Sequence, residues 1–535
     1  MSSIIIHFFL FLFIVVSNGL ILFKLIIFKN LKLNSLETSI LGLIATGFLA
    51  QLLNFFIPLN DMVIYCNLII SIVILTIYRK KIHLNFNKST TLILLAMLFL
   101  SLAQIYSSGF SDDLAHYHGG QIINSDNSKY IVGINFLHHH YGYGSIWLLL
   151  HSYLNFNETF LQNIHIINAI TLFLILSYFI TECIKSDETN DNLLFILLGV
   201  FIFFFLMKYT RLKEFGLDRP GILLFCFLIY LSFKYKNILE TQQSAAINLT
   251  LIISLFLTGI KLFFIFSFVI PLFLMIKYKN SKFFLKKEFL VLFVFSLSYF
   301  GKNILWTGCL IYPLYFTCFS QLNWNSQDIA YKIMSTIEAH TKGFDSYKGS
   351  LSGQEYLQDY NWVKTWFGIV SEEFLTYFGL SAFIVVLMVA STKVIKSSSS
   401  LVWEKSLILT LFFSNLILFL KTPVIRYHHT LFLLLTILFL VLPKTNFLRK
   451  KTIFFSIIAI LFTFNLSKNI LRIHKNNYFN NPIQHLKEIK WYQKPRQKKL
   501  ENFTYYNGWI GASPIGNENL NNYKYKKIFF DIIYK

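Results

Sequence analysis

Residues 91–120 read TLILLAMLFLSLAQIYSSGFSDDLAHYHGG, an uninterrupted apolar run followed by two adjacent carboxylates. Apolar runs of similar length recur along the whole chain of 535 residues, which is 55% hydrophobic and 14% charged and has a mean hydropathy of +0.56. Such usage is too apolar for an ordinary soluble protein, and a membrane-spanning helix needs roughly 20 apolar residues. The sequence therefore predicts an all-α polytopic integral membrane protein with about 12–14 transmembrane helices.

The apolar segments give about fourteen predicted spans. They are 4–23, 40–57, 62–78, 91–106, 160–184, 193–208, 220–233, 245–258, 260–276, 289–305, 374–394, 407–420, 430–443 and 452–466. The first segment lacks a basic n-region and a small-residue cleavage site, so we interpret it as a membrane helix and not as a removable signal peptide. The run 245–276 is too long for one helix, and we expect a tight helical hairpin that turns at residues 258–261.

Lysine and arginine in the short loops predict the orientation of these spans. The three strongest basic clusters, at 78–81, 277–287 and 443–451, fall on one side of the predicted arrangement. That side is cytoplasmic by the positive-inside tendency. Both termini and two long helical loops, 107–159 and 306–373, are then predicted on the outer face. The formal charge of +22 is spread between hydrophobic segments, so it indicates membrane orientation and not a nucleic-acid partner.

Two regions are predicted: a multi-span transmembrane domain over 1–466 and a polar C-terminal extramembrane segment over 467–535. The five cysteines show no spacing typical of metal ligands. Cys309 and Cys318 are the pair that could meet outside the membrane, and we do not expect a disulfide between them.

Ionisable groups gather at the ends of several spans on the predicted outer face. Polar groups near lipid are energetically expensive, so their clustering at one face is a functional indication. Carboxylates that face cations suit a site that handles an anion and a proton together. The candidate site residues are Asp112, Asp113, His116, His118, Arg211, Lys213, Glu214, Asp218, Arg219, Lys261 and Arg426, and Lys302 is also expected at or near this face.

Three stretches resemble the GT-C glycosyltransferases, which are polytopic enzymes that take a sugar from a polyprenyl-phosphate lipid at the outer leaflet. The acidic pair Asp112–Asp113 follows a span and precedes short helical stretches. TGCLIYP at 307–313 is similar to the TGNPxYP-type loop of many such bacterial proteins, and PVIRYHH at 423–429 resembles the stretch that opens one of their last helices. The likeness is greatest to uncharacterised membrane proteins of bacterial surface-polysaccharide clusters. In those enzymes the acidic pair usually follows the first helix, whereas here it follows the fourth span.

The resemblance implies a role for each candidate residue. Asp113 would be the general base that takes the proton of the acceptor hydroxyl, and Asp112 would share that role or hold a divalent cation. The cations Arg211, Lys213, Arg219 and Arg426 would bind phosphate, for which the arginine fork is best suited. Glu214 and Asp218 would contact the acceptor or a metal, and His116 and His118 would orient the acceptor sugar.

Simpler interpretations exist for the same residues. Asp112 and Asp113 also suit a helix N-terminus, where carboxylates are favoured. Glu214 and Asp218 could pair with the neighbouring Lys213 and Arg219. His138, His139 and His140, with His116 and His118, could suggest a metal site, but their spacing does not define one, and we interpret them as surface or loop histidines.

The sequence favours an enzyme in a bacterial inner (plasma) membrane whose active face is periplasmic or extracellular. Its expected partners are the lipid bilayer, a polyprenyl-phosphate-linked sugar and a glycan or lipid acceptor. A lipid-linked oligosaccharide flippase or another transporter is an alternative, although transporters usually carry ionisable groups at the membrane midplane in paired halves. An O-antigen polymerase or ligase and a purely structural membrane component are further alternatives.

Overall fold

The described part of the chain is mainly helical. The computed structural model describes residues 2–29, 31–79, 87–108, 113, 117–156, 163–185, 192–212, 216–279, 282–396, 402–443, 445–475, 496–500, 503–507, 524–527 and 530–534. Within these residues the α-helices are α1 (Ser2–Asn18), α2 (Ser35–Leu53), α3 (Asp61–Ile77), α4 (Lys88–Tyr106), α5 (Gly119–Asn127), α6 (Ile146–Tyr153), α7 (Ile166–Lys185), α8 (Asn192–Lys208), α9 (Asp218–Lys234), α10 (Glu240–Ile260), α11 (Val269–Tyr278), α12 (Lys287–Thr307), α13 (Gln327–Thr341), α14 (Gly353–Leu357), α15 (Trp362–Ala390), α16 (Val402–Lys421), α17 (His429–Val441) and α18 (Lys451–Lys475).

Nine helical segments in the described residues are long and apolar enough to cross a membrane by length and composition. Each of the predicted spans overlaps a helix, so the sequence pattern located the helices correctly. Several ends differ from the prediction. Helix α1 continues as a π-helix to Ile27, α15 begins at Trp362 and not near 374, and α18 continues to Lys475 beyond the predicted end at 466.

Burial separates central helices from peripheral ones. The 18-residue apolar stretch of α7 is completely buried and that of α10 is 94% buried, whereas the corresponding stretches of α15 and α18 are each only 22% buried. Many exposed side chains of the peripheral helices are nevertheless apolar, such as Val386 on α15 and Ile460 on α18. A helix that is apolar all round and exposed on its outer side suits contact with lipid.

The predicted turn at 258–261 is present. Helix α10 ends at Ile260, Lys261 is its C-cap residue, and a 3-10 segment over Leu262–Phe268 leads into α11. The predicted outer loop 107–159 contains the short helices α5 and α6, and the predicted loop 306–373 contains α13 and α14.

Short antiparallel strand pairs are a feature that the all-α prediction omitted. They are β1 (Thr392–Lys396) with β2 (Thr445–Arg449), β3 (Arg496–Leu500) with β4 (Phe503–Asn507), and β5 (Lys524–Lys527) with β6 (Asp531–Tyr534). The last pair attaches to the loop after α5. The amide of Val132 donates to Asp531 O at 2.8 Å, and the amide of Ile533 donates to Val132 O at 2.9 Å. The C-terminal strands therefore pack on the loops near the candidate site.

The expectation about the cysteines was wrong, because Cys309 and Cys318 form a disulfide. Their backbones also form an isolated antiparallel bridge, which brings the two side chains face to face. The hydrogen bond from the amide of Leu310 to Thr317 O, at 3.0 Å, belongs to the same turn. A nine-residue separation left this pairing open in the sequence, and the tight turn makes it possible.

Candidate functional site

Four predicted site residues meet although they come from four distant parts of the chain. Asp113 follows α4, Asp218 opens α9, Lys261 ends α10, and Arg426 lies in a 3-10 turn just before α17. Each residue therefore sits at or near the end of a long apolar helix. The bundle brings these ends together, and we call the four side chains the acid–cation cluster.

Arg426 lies between the two carboxylates of this cluster. Its Nη2 is 3.9 Å from Asp113 Oδ2, and its Nε is 3.9 Å from Asp218 Oδ2. Asp218 makes a much closer contact with Lys261, whose Nζ donates to Asp218 Oδ1 at 2.8 Å. The side chain of Arg426 is 49% exposed and that of Asp113 is 35% exposed. The cluster is thus open to solvent, and its two acids and two cations balance in charge.

Tyr427 contacts both cations of the cluster. The ammonium of Lys261 is 3.0 Å from the centroid of the Tyr427 ring, and Arg426 Nη2 donates to the Tyr427 hydroxyl at 3.1 Å. Burial opposes the charged form of Arg426, but Tyr427, Asp218 and Asp113 outweigh it and raise the pKa of the guanidinium. The negative potential around Arg426 therefore keeps it cationic.

His118 lies buried beside the acid–cation cluster. It is 3% exposed, and neither ring nitrogen has a hydrogen-bond partner among the described residues. Burial lowers the pKa of His118 to about 4, although the charges of Asp113 and Asp218 oppose that shift. His118 is therefore a neutral imidazole at pH 7 that can both donate and accept a hydrogen bond.

A second group of cations lies next to the acid–cation cluster. Arg219 follows Asp218 directly on α9, with its guanidinium carbon 5.2 Å from the ring centroid of Tyr209. Arg472 on α18 is within electrostatic range of Arg211 and Arg219, and Lys208 is within range of Arg219. Among the described residues, no carboxylate forms an ion pair with Arg211 or Arg472. We call Lys208, Arg211, Arg219 and Arg472 the cation cluster.

Two arginines of the cation cluster also order the backbone around it. Arg211 Nε donates to Ser107 O at 3.2 Å, and Nη2 donates to Ser108 O at 3.3 Å. Those carbonyls lie at the C-terminal end of α4, where a positive side chain is favoured by the helix dipole. Arg472 Nη1 donates to Thr210 O at 2.5 Å. The segment between α8 and α9 is therefore tied to both α4 and α18.

The remaining predictions have mixed outcomes. Asp112, His116, Lys213 and Glu214 lie outside the described residues. Asp218 makes its close contact with Lys261, and the simpler interpretation that it pairs with its neighbour Arg219 stays a prediction. Lys302 is completely buried and donates to Gly144 O, away from the acid–cation cluster.

Sequence reasoning missed two aromatic residues of the site, Tyr427 and Tyr117, and two cations, Lys208 and Arg472. Tyr427 follows Arg426 directly, and Tyr117 precedes His118. Tyr117 is within electrostatic range of Asp113, Asp218 and Arg426. Both positions were detectable as neighbours of predicted residues. Arg472 lay in a segment interpreted as the polar tail, and only the longer α18 brings it to the site.

The described residues define a class: a many-helix protein with nine helical segments long and apolar enough to cross a membrane, and with a cluster of acids and cations at one end of the bundle. The chain belongs to a family described as a domain of unknown function, DUF8201, which matches residues 1–433. The match includes Asp113, Asp218, Lys261 and Arg426. No curated protein and no solved structure matches the chain.

Proposed function

We propose that this protein is a GT-C-like glycosyltransferase at the outer face of a bacterial inner membrane. It would move a sugar from a polyprenyl-phosphate donor to a cell-envelope glycan or lipid acceptor. The observation that carries the proposal is the position of Asp113, a partly exposed carboxylate 3.9 Å from Arg426. A base and a phosphate-binding guanidinium are the two groups that the reaction needs within one substrate length of each other.

The proposed reaction assigns separate tasks to the carboxylate of Asp113 and the guanidinium of Arg426. Asp113 takes the proton of the acceptor hydroxyl as that oxygen forms a bond to the anomeric carbon of the donor sugar. The bond between that carbon and the phosphate oxygen breaks, and its electron pair leaves with polyprenyl phosphate. Arg426 stabilises the charge on the departing phosphate, since a guanidinium matches phosphate oxygens in geometry. The neutral ring of His118 would hydrogen-bond the hydroxyls of the acceptor sugar once the side chains that bury it move aside.

The charge balance around the site supports an anionic ligand. Asp113 and Asp218 neutralise Lys261 and Arg426, so the acid–cation cluster is neutral as a whole. The neighbouring cation cluster adds positive charge that the described carboxylates do not neutralise by ion pairing with Arg211 or Arg472. A phosphate bound beside the cation cluster would neutralise part of this positive charge.

The disulfide supports the outer placement of the site. Disulfides persist in the oxidising space outside the cytoplasm, and Cys309 lies in the segment that follows the end of α12. Tyr312 in that segment donates to His139 O at 3.3 Å, in the loop that contains His138–His140. The Cys309–Cys318 turn and that loop therefore share one end of the bundle.

The first test replaces Asp113 by asparagine, which keeps the size of the side chain and removes the base. Loss of a general base lowers the rate by about 100-fold or more, so cells with Asp113→Asn should lack the envelope glycan modification that wild type restores to a deletion strain. The measurement is the sugar composition of purified envelope glycan. Asp345→Asn is the matched control, because Asp345 is an exposed carboxylate in the loop after α13 and should be dispensable.

The second test separates binding from chemistry. In purified protein, polyprenyl phosphate should raise the thermal unfolding midpoint of wild type and of Asp113→Asn, but much less that of Arg426→Ala. Arg79→Ala, at an exposed arginine after α3, should respond as wild type does. Normal glycan in cells with Asp113→Asn would refute the assigned base, and an unchanged lipid response in Arg426→Ala would refute the assigned phosphate site.

A carrier of lipid-linked sugars is the second candidate, and one observation favours it. Lys234, at the other end of α9 from Asp218, contacts Glu37 at 2.5 Å and Glu182 at 3.5 Å. Buried and paired ionisable groups on helices of a membrane protein can mark an ion or proton pathway, as in transporters. A carrier would keep translocating its lipid in Asp113→Asn and lose that activity when Glu37 becomes glutamine. If the protein is a glycosyltransferase, sugar transfer should be lost in Asp113→Asn and retained in Glu37→Gln.

A further inference from the structure

His138, His139 and His140 lie in one loop with their rings close together: His138 stacks on both of the others, and the rings of His139 and His140 are tilted. The ring centroids of His139 and His140 are 4.0 Å apart, and those of His138 and His139 are 5.0 Å apart. One nitrogen from each ring lies within 4.8 Å of the nitrogens of the other two. The three residues were interpreted from the sequence as loop histidines, and the structure brings their nitrogens together.

The loop that carries these histidines is held in place from both ends. Gly133 and Gly144 both have left-handed backbone conformations, with φ of 72° and 49°. The Gly133 amide donates to Leu305 O at 2.9 Å, and the ammonium of Lys302 donates to Gly144 O. Helix α12 therefore fixes the backbone on either side of the histidines, which lowers the entropy lost when a ligand orders their side chains.

The environment of the histidines favours ligand binding over simple stacking. His138 and His139 are each only 8% exposed. The Nδ1 of His139 has no hydrogen-bond partner among the described residues, and a buried polar atom left in that state is unfavourable. A bound cation would satisfy it. The nitrogens of ligands on one tetrahedral zinc lie roughly 3.4 Å apart, so small side-chain rotations would close the site.

We propose that His138, His139 and His140 form a binding site for a divalent transition metal, with Zn²⁺ as the first ion to test. Neutral imidazoles suit zinc, copper and nickel, and three of them leave a position for water or another ligand. The Tyr117 ring stacks on His140 at 4.6 Å, and Tyr117 is within electrostatic range of Asp113. A metal bound by the histidines would therefore fix a loop that packs, through Tyr117, beside the acid–cation cluster.

The test uses the full chain purified in detergent with an affinity tag that contains no histidine. After exposure to Zn²⁺ and dialysis into metal-free buffer, elemental analysis should find about one zinc per chain. The His139→Phe variant keeps an aromatic ring in the stack but removes the ligand, so it should retain at most a small fraction of that zinc. His340→Asn removes an exposed histidine that pairs with Asp345, and it should bind as much zinc as wild type.

Thermal unfolding provides a second measurement that is independent of sugar transfer. Zn²⁺ should raise the unfolding midpoint of wild type and of His340→Asn, and a chelator should reverse the shift. Equal midpoints of wild type and His139→Phe in chelator would show that the variant is folded. Wild type without retained zinc or without a zinc-dependent midpoint would overturn the proposal even if His139→Phe failed to fold, and full zinc retention by a folded His139→Phe would overturn it as well.

Discussion

Arg426 is the residue on which the candidate site depends, and its ion pairs are loose. Both carboxylates are 3.9 Å from its nitrogens, and its side chain is half exposed. Partly exposed pairs of this kind contribute little to stability, on the order of 0–1 kcal/mol. A ligand phosphate can therefore displace Asp113 or Asp218 from Arg426 at small cost, whereas a buried bidentate pair would resist such exchange.

His118 allows a prediction about pH at the same scale. Its pKa in the fold is about 4, below the ordinary value of 6.5. Between these values the unfolded chain takes up a proton that the fold excludes, so stability falls as the pH drops from 6.5 toward 4. The loss amounts to roughly 3 kcal/mol over that window. The thermal midpoint of wild type measured from pH 7.5 to 4.5 should therefore fall more steeply than that of His118→Asn.

His340→Asn is the control for this measurement, since His340 is 43% exposed and far less buried than His118. Its midpoint should fall with pH as steeply as that of wild type. An identical pH slope for wild type and His118→Asn would contradict the burial that keeps His118 neutral.

Sequence alone identified charged site residues better than their partners. Asp113, Asp218, Lys261 and Arg426 were found because charge at the end of an apolar run is conspicuous. Tyr427 was not singled out although it follows Arg426, because a neighbouring tyrosine is unremarkable in a chain with 29 tyrosines and 59 phenylalanines. The pairing of Asp218 with Lys261 joins two helices, and no local pattern contains that information.

At the scale of elements, α9 connects two ionic groups at its opposite ends. Asp218 lies in its first turn, and Lys234 is its last residue. Lys234 bonds to Glu37 at the start of α2 and lies near Glu182 at the end of α7. The hydroxyl of Tyr178 also donates to Glu37 Oε1, at 2.7 Å. This network joins three helices at the end of α9 that lies away from the candidate site.

Lys234→Met tests the network through stability. Glu37 is completely buried, and removal of its cationic partner leaves a buried charge uncompensated, which destabilises by about 3–5 kcal/mol. The unfolding midpoint of the detergent-solubilised variant should drop sharply. Lys185→Met is the matched control, because Lys185 bonds to Glu182 but is 52% exposed, and its midpoint should stay near wild type. Equal midpoints for both variants would contradict a stabilising role of the Glu37–Lys234 pair.

Hydropathy located the helices but not their ends. Helix α15 begins with a turn that includes Lys364, and Glu372 and Glu373 follow, so a hydropathy threshold sets its start too late. Helical hydrogen bonding does not end where lipid contact ends. The pairing of β1 with β2 was not predicted for a different reason. In the sequence, β1 precedes α16 and β2 follows α17. Strand pairing depends on such long-range contacts, which no local pattern contains.

At the scale of the whole molecule, the ion pairs between helices divide the helix ends into two sets. The C-terminal end of α10 and the N-terminal ends of α9 and α17 meet at the acid–cation cluster. The C-terminal end of α9 meets the N-terminal end of α2 at Glu37, and Lys236 just beyond it contacts Glu404 in the first turn of α16 at 3.3 Å. Alternating ends of this kind are what successive spans produce, and they agree with the predicted order of the spans. Which set of ends faces the cytoplasm is a prediction from the basic loops.

Side-specific labelling of cysteine tests this orientation directly. Cys66 is an exposed free cysteine, so the background variant is Cys66→Ser, and one cysteine is added at a time. Tyr360→Cys lies in the loop before α15 and should react with a membrane-impermeant maleimide in intact spheroplasts, because that loop is predicted on the outer side. Leu285→Cys lies in the basic segment before α12 and should react only after permeabilisation, because basic loops remain in the cytoplasm. Both native residues are highly exposed, at 74% and 85%, so differences in labelling report the side of the membrane and not burial. Labelling of Leu285→Cys in sealed spheroplasts would invert the protein and place Asp113 and Arg426 in the cytoplasm, where the proposed outer-leaflet reaction could not occur.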